Sequence, residues 1–190
     1  MKNWKTEIFT IPNLMSFFRI LLIPVFAWLY LHAETTTDYY VATGVLLISS
    51  LTDLFDGKIA RKFHMISKLG KALDPIADKA THVVVMLCLC TRYPVMIFLF
   101  ALALVKEGIM GIVGLMFLRK GKMLNGAMWF GKVCTAVLFV VLLTLVILPD
   151  LPLTVVNILC GVSAVVMLLT LFLYIPVFNK MRQELTNEAQ

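Results

Sequence analysis

With 190 residues, 61% of them hydrophobic and 15% charged, the chain is far more apolar than a soluble domain, for which about 45–50% and roughly 25% are usual. Six membrane helices of about 20 residues each would consume most of that length, which leaves little for a soluble domain. The net charge of +6 would suit nucleic acid, but the basic residues gather at one set of run ends, and nucleic-acid binding is excluded on that placement. The four cysteines, Cys88, Cys90, Cys134 and Cys160, all lie within apolar runs and read as reduced thiols in lipid-embedded helices rather than as metal ligands.

The first segment, residues 1–11 (MKNWKTEIFTI), mixes Trp4, Ile8, Phe9 and Ile11 with Lys2 and Lys5. That composition suits a short helix lying in the membrane interface; a frayed tail is the alternative. Apolar runs then cover about 13–33, 39–60, 71–92, 94–118, 127–148 and 152–176. Breakers separate them: the polar patch Thr35–Asp38, then Pro94, Gly121 with Asn125, and Pro149 with Pro152, while Pro176 closes the last run. The first run is too long for the apolar core of a cleaved signal, and no A-x-A site follows it. Each run is predicted to be helical, because unpaired backbone groups in hydrocarbon are too costly.

The expectation is an all-α integral membrane protein with six transmembrane helices. A single domain spans 1–190: an interfacial segment to about residue 11, a six-helix bundle over about 12–176 and a tail from about 177. With the N-terminus inside, Lys2, Lys5, Lys62, Lys68, Arg119, Lys120, Lys122, Lys180 and Arg182 fall on the cytoplasmic side. Arg92 falls outside, together with Glu34, Asp38 and Asp150. That asymmetry predicts both termini in the cytoplasm, and the basic side is drawn to anionic headgroups.

Chemistry concentrates where the second run ends and the third begins. Asp53, Asp56, Gly57, Ala60 and Arg61 stand at i, i+3, i+4, i+7 and i+8, on one helical face. Asp74 and Asp78, at i and i+4, share a face of the next helix, and Gly70 precedes them. A short connection brings the two faces together as an antiparallel pair. Carboxylates crowded at low dielectric repel one another, and acids within membrane helices mark function by default. A hard divalent cation, Mg²⁺ or Mn²⁺, resolves the conflict with oxygen ligands and tolerates phosphate; zinc prefers nitrogen and sulfur. Gly57 and Ala60 leave room for a bulky group, and Arg61 offers a fork for phosphate. Simple ion pairing with Lys58, Lys71 and Lys79 would not require small residues at those offsets.

The pattern Asp53-x2-Asp56-Gly57-x2-Ala60-Arg61-x8-Gly70-x3-Asp74-x3-Asp78 resembles the full signature of the CDP-alcohol phosphotransferases. The resemblance covers nearly the whole chain. It implies phospholipid biosynthesis by transfer of a phosphatidyl group from CDP-diacylglycerol to an alcohol, with release of CMP, on the cytoplasmic side of the cytoplasmic membrane. It implies that Asp53, Asp56, Asp74 and Asp78 organise two Mg²⁺ or Mn²⁺ ions and that Asp78 takes the acceptor's proton. It further implies that Asp53, Asp56, Gly57, Ala60, Arg61 and Gly70 serve CDP-lipid binding, and that the protein forms a homodimer.

Ile11-Pro12-Asn13-Leu14, then Arg19-Ile20-Leu21-Leu22-Ile23-Pro24, and Leu73-Asp74-Pro75-Ile76-Ala77-Asp78-Lys79 are most similar to bacterial phosphatidylglycerophosphate synthases, and occur in cardiolipin synthases too. Where the former carry Ala-Arg-Glu and Gly-Lys-x-Lys-Thr, this chain has Val105-Lys106-Glu107 and Gly131-Lys132-Val133-Cys134-Thr135. A lysine supplies a point charge in place of a fork, so the substitutions weaken, without removing, glycerol-3-phosphate as the favoured acceptor. The alternatives are phosphatidylglycerol, giving cardiolipin, or another alcohol such as inositol or serine. Lys106 and Lys132 are the acceptor-site candidates. Lys106 and Glu107, being adjacent, are expected to point in different directions and so not to satisfy each other fully. Gly108, Gly111 and Gly114 recur at every third position and predict close helix packing. A cation transporter is the rival class, but transporters place acids near the midplane, and here they sit at the cytoplasmic edge.

Overall fold

Ile11–Leu31 form the first helix, α1, with Pro24 inside it. Its buried positions are Asn13, Ser16, Arg19, Phe26 and Tyr30, while Leu14, Phe17, Phe18, Leu21, Trp28 and Leu31 are exposed. Polar residues inside and apolar residues outside invert the arrangement of a soluble helix, as hydrocarbon surroundings demand. The computed structural model describes residues 11–62, 68–119 and 128–187, and the side chains of all of these except 11–12, 54, 56–62, 68–75 and 184–187. The interfacial segment expected at the N-terminus lies outside the described residues but for Ile11.

The remaining helices are α2 (Thr36–Lys62), α3 (Lys68–Arg92), α4 (Val95–Arg119), α5 (Trp129–Ile147) and α6 (Leu153–Asn187). The described residues are all-helical, with turns and short connections between elements. Four helices contain stretches long and apolar enough to cross a membrane: Asn13–Leu31 in α1, Val95–Arg119 in α4, Trp129–Ile147 in α5 and Leu153–Gln183 in α6. The charged residues near Asp53 and Asp78 interrupt the apolar character of α2 and α3. This is a membrane protein.

The helices fall into two units. One extends to Arg92 and takes in Leu145–Pro149; the other comprises Tyr93–Thr144 and the chain from Asp150 onward. In the first unit α1 packs against both α2 and α3. The start of α2 is fixed by a reciprocal cap. Asp38 Oδ2 accepts from the Thr35 N–H and Thr35 Oγ1, both at 2.8 Å, and Thr35 Oγ1 accepts from the Asp38 N–H at 3.3 Å. Thr35's N–H and hydroxyl, aided by the Glu34 N–H, hold the Asp38 carboxyl below the usual carboxylate range. Thr43 of α2 donates to the Val146 carbonyl at 3.2 Å, which ties the fully buried end of α5 to this unit.

In the second unit α4 packs against α6. Phe130 meets Tyr174 edge-on at 4.7 Å, Tyr174 stacks on Phe178 at 5.5 Å, and Phe178 stacks on Phe117 at 6.2 Å. One aromatic cluster thereby joins α4, α5 and α6. Gly131 makes the cluster fit: a Cβ there would lie 2.6 Å from the Tyr174 hydroxyl oxygen.

Two expectations are corrected. Pro176 does not end the last helix, which continues to Asn187. A proline removes one backbone bond, and the strong helix formers around Lys180, Met181 and Arg182 carry the helix past it. The stripe Gly108, Gly111 and Gly114 does not pack closely either: a Cβ at any of the three meets nothing within 4 Å among the described residues. The stripe lies among the outward side chains Ile109, Ile112 and Leu115.

Candidate metal-assisted transfer site

The inner face of α2 runs Ala42, Thr43, Leu46 and Ser49, all buried, and reaches Asp53 one turn later. On α3, Val85, Thr81 and Asp78 follow the same logic toward the same end. Arg19 of α1, 2% exposed, stands between these two faces. Its Nη1 donates to Asp53 Oδ1 and lies 4.0 Å from Asp78 Oδ1. One guanidinium thus serves carboxylates from two helices. Its charge offsets their repulsion, and their charge offsets the desolvation of a buried arginine.

The site is asymmetric in exposure. Arg19 is its floor, whereas the Asp53 and Asp78 side chains are 39% and 47% exposed, so carboxylate surface remains open to an incoming group. Beneath lies a small apolar cavity lined in part by Leu22, Ile23, Phe26, Leu46 and Val85. Nearby hydroxyls are satisfied within their own helices: Ser50 donates to the Leu46 carbonyl at 2.8 Å, and Thr81 to that of Ala77 at 2.8 Å. Among the described residues, the Asp53 and Asp78 carboxylates are left part-exposed.

The structure therefore brings together two of the four expected ligands, Asp53 and Asp78. Asp56, Gly57, Ala60 and Arg61 continue α2, and Gly70 and Asp74 lie in α3; their side chains lie outside the described residues. The donor chemistry fits a hard divalent cation. Two carboxylates from different helices already converge on one positive charge, and oxygen donors suit Mg²⁺ or Mn²⁺.

Sequence reasoning treated Arg19 as one letter of a longer similarity and gave it no role. The signal was present, since a charged residue in the middle of an apolar helix is a functional hypothesis by default. Asn13, Ser16 and Arg19 also recur every third position, so they share the buried face of α1.

Lys106 and Lys132 belong to the second unit. Lys132 is exposed on α5, whereas Lys106 is 8% exposed on α4. Lys106 and Glu107 do not point apart as expected: Nζ meets Glu107 Oε1 at 2.8 Å. Their long flexible stems span the angle between adjacent helix positions, and opposite charges in apolar surroundings gain by meeting.

A model of the CDP-alcohol phosphatidyltransferase family matches residues 9–176. The chain belongs to this family. CDP-alcohol phosphatidyltransferases generally use divalent metal ions, in keeping with the acidic donors found here. Among curated relatives, a Schizosaccharomyces pombe fusion of cardiolipin synthase (CMP-forming) with a mitochondrial hydrolase is 42% identical over 88 residues, 46% of this chain and 14% of that protein. Rat cardiolipin synthase (CMP-forming) is 52% identical over 71 residues, 37% of this chain and 22% of its own length. The CDP-diacylglycerol–glycerol-3-phosphate 3-phosphatidyltransferase of Escherichia coli K12 is 33% identical over 85 residues, 45% of this chain and 46% of that enzyme. The chain thus covers less than half the length of each of these relatives.

Proposed function

We propose that this CDP-alcohol phosphatidyltransferase moves a phosphatidyl group from CDP-diacylglycerol to glycerol-3-phosphate and releases CMP, as a step of phospholipid biosynthesis. The observation that carries the reading is the convergence of Asp53 and Asp78, from two helices, on the buried Arg19. In this reading Asp53, Asp56, Asp74 and Asp78 hold two Mg²⁺ or Mn²⁺ ions, which neutralise the diphosphate and stabilise the departing CMP. Gly57, Ala60 and Gly70 admit the cytidine and diphosphate, and Arg61 grips phosphate. Asp78 accepts the proton of the attacking hydroxyl, its half-exposed carboxylate open to an acceptor arriving at the membrane surface. Lys106 and Lys132 bind the acceptor.

The whole chain acts as one domain of six transmembrane helices with both termini cytoplasmic, in the cytoplasmic membrane and as a homodimer. The site faces the cytoplasm, where CDP-lipid and a soluble alcohol meet without either leaving its phase.

A second reading takes phosphatidylglycerol as the acceptor. The 42% and 52% identities to cardiolipin synthases, against 33% to the glycerol-3-phosphate enzyme, favour it. So does Cys134, 2% exposed on α5, where a second inward lysine would serve an acceptor phosphate. Incubating purified protein with CDP-diacylglycerol, a divalent ion and a panel of alcohols tests both readings. Phosphatidylglycerophosphate, identified by mass, supports the first and cardiolipin the second. CMP release without any alcohol, or no release with any, defeats both.

A further inference from the structure

We infer that Arg19 is a positioning residue of the metal site: from α1 it fixes the Asp53 and Asp78 carboxylates in the orientation in which they take a divalent cation. The inference rests on the proposal that these two aspartates are metal ligands, and goes beyond it by giving a role to a helix outside the acidic motif.

Three observations carry it. First, Arg19 is 2% exposed on a helix whose outward face is Leu14, Phe17, Phe18 and Leu21. A leucine would fill such a position at far lower desolvation cost, so the charge itself has a use. Second, the guanidinium reaches carboxylates of both α2 and α3, bonded to Asp53 and 4.0 Å from Asp78. A contact serving only to attach α1 would need one of them. Third, it approaches from the buried side, through the Oδ1 atom of each, and leaves the carboxylates 39% and 47% exposed. Donors behind and open surface in front is how a second layer of hydrogen bonds orients ligating carboxylates, and loss of such a partner typically costs about 10–100-fold in metal affinity. Arginine suits the task better than lysine, because its planar guanidinium stays charged when buried and holds rigidly the one nitrogen, Nη1, that faces both carboxylates.

The test is Mn²⁺ binding by the full chain in detergent micelles, followed through the electron paramagnetic resonance of free Mn²⁺, for wild type, Arg19→Met and Arg19→Lys. Arg19→Met keeps most of the volume and deletes the fork and the charge; its Mn²⁺ affinity is expected to fall about 10–100-fold. Arg19→Lys, with charge but no fork, is expected to fall between the two. Unchanged affinity in folded Arg19→Met would show that the residue merely fills space. Raised affinity would show that it competes with the metal; either result overturns the inference. Should Arg19→Met not fold, Arg19→Lys decides alone, wild-type affinity overturning the inference and a severalfold loss supporting it. The rise in thermal midpoint on adding Mn²⁺ gives a second readout, expected to shrink in the same order. A wild-type chain that binds no Mn²⁺ would instead remove the metal reading beneath the inference, and so the two failures are distinguishable.

Discussion

The inner faces of α1 and α6 solve the same problem in opposite ways. Both helices expose leucine, valine and phenylalanine outward, and both turn a narrow face inward. On α1 that face buries Asn13, Ser16 and Arg19 ahead of Phe26 and Tyr30; on α6 it buries Val156, Cys160, Ser163, Met167, Thr170 and Tyr174. The α6 face is packed, with only small hydroxyls among its apolar groups, and Thr170 returns its hydroxyl to the Val166 carbonyl at 2.8 Å. The α1 face is charged, and its arginine is balanced only because α2 and α3 deliver carboxylates to it. Depth of burial does not separate a site from a core in this protein. What does is whether the buried polar group is satisfied by its own helix or by its neighbours.

The comparison breaks most visibly at Asp53. Asp53→Ala takes from the buried Arg19 its bonded carboxylate, though not the Asp78 carboxylate 4.0 Å away, and removing one member of a buried ion pair costs about 3–5 kcal/mol. The lower end applies here, since Asp53 is 39% exposed. Turnover should disappear as well, because the proposed ligand set loses a member. Circular dichroism melts in detergent, beside CMP release, check both. Asp53→Asn should keep much of the stability and still lose turnover. If Asp53→Ala melts like wild type, the charged face is not what holds α1 in place.

Met167→Ala probes the other face. Met167 is 1% exposed, and truncating a buried methionine costs about 2–5 kcal/mol in water-soluble cores. In lipid, transfer to the surroundings contributes little and lost dispersion contacts dominate, so about 2 kcal/mol is expected. The fraction that remains folded should bind Mn²⁺ as wild type does. A parallel loss of Mn²⁺ affinity would mean that α6 packing reaches the metal site.

Much of this division was legible in the residues. The spacing of Asp53, Asp56, Asp74 and Asp78 fixes their helix faces, and the runs fix the helices to within a few residues except at the end of α6, which runs on to Asn187. Arg19 was harder, because its meaning depends on which helices α1 packs against, and no local pattern reports that. Lys106 and Glu107 meet through the reach of their stems, which helical geometry at Cα does not capture. The glycine stripe of α4 shows the reverse error: small residues permit close packing but do not require it. Pro176 likewise weakens a helix without obliging it to stop.

Gly131→Ala should have a smaller effect, and it sharpens the comparison within the second unit. The added Cβ would sit 2.6 Å from the Tyr174 hydroxyl oxygen, and Phe130 and Phe178 on either side leave that ring little room to move. Overpacking costs about 1–3 kcal/mol, reduced by the roughly 1 kcal/mol that alanine gains over glycine in a helix. Tyr174→Phe removes the clashing oxygen, so in that background Gly131→Ala should stabilise. Additive melts of the two variants would disprove the contact.

The smallest expected effect is at Ser163. It lies on the same face of α6 as Thr170, two turns away with Met167 between them, and is 1% exposed. Whereas the Thr170 hydroxyl is bonded to its own helix, Ser163 Oγ has no hydrogen-bond partner among the described residues. A buried hydroxyl without a partner is a desolvation cost with no return, and replacing it by an apolar group of similar shape is nearly neutral or stabilising. Ser163→Ala also gains a few tenths of a kcal/mol in helix propensity. The variant should therefore melt at or slightly above wild type, by about 0.5–1 kcal/mol. Thr170→Val, which deletes a satisfied hydroxyl of nearly equal size, should fall slightly below wild type. The sign of the difference between the two variants is the measurement that matters, since both alter one hydroxyl on one face. If Ser163→Ala is the less stable of the pair, Ser163 donates to something beyond this chain's described residues. The inner face of α6 would then resemble α1 in depending on a neighbour for its polar group.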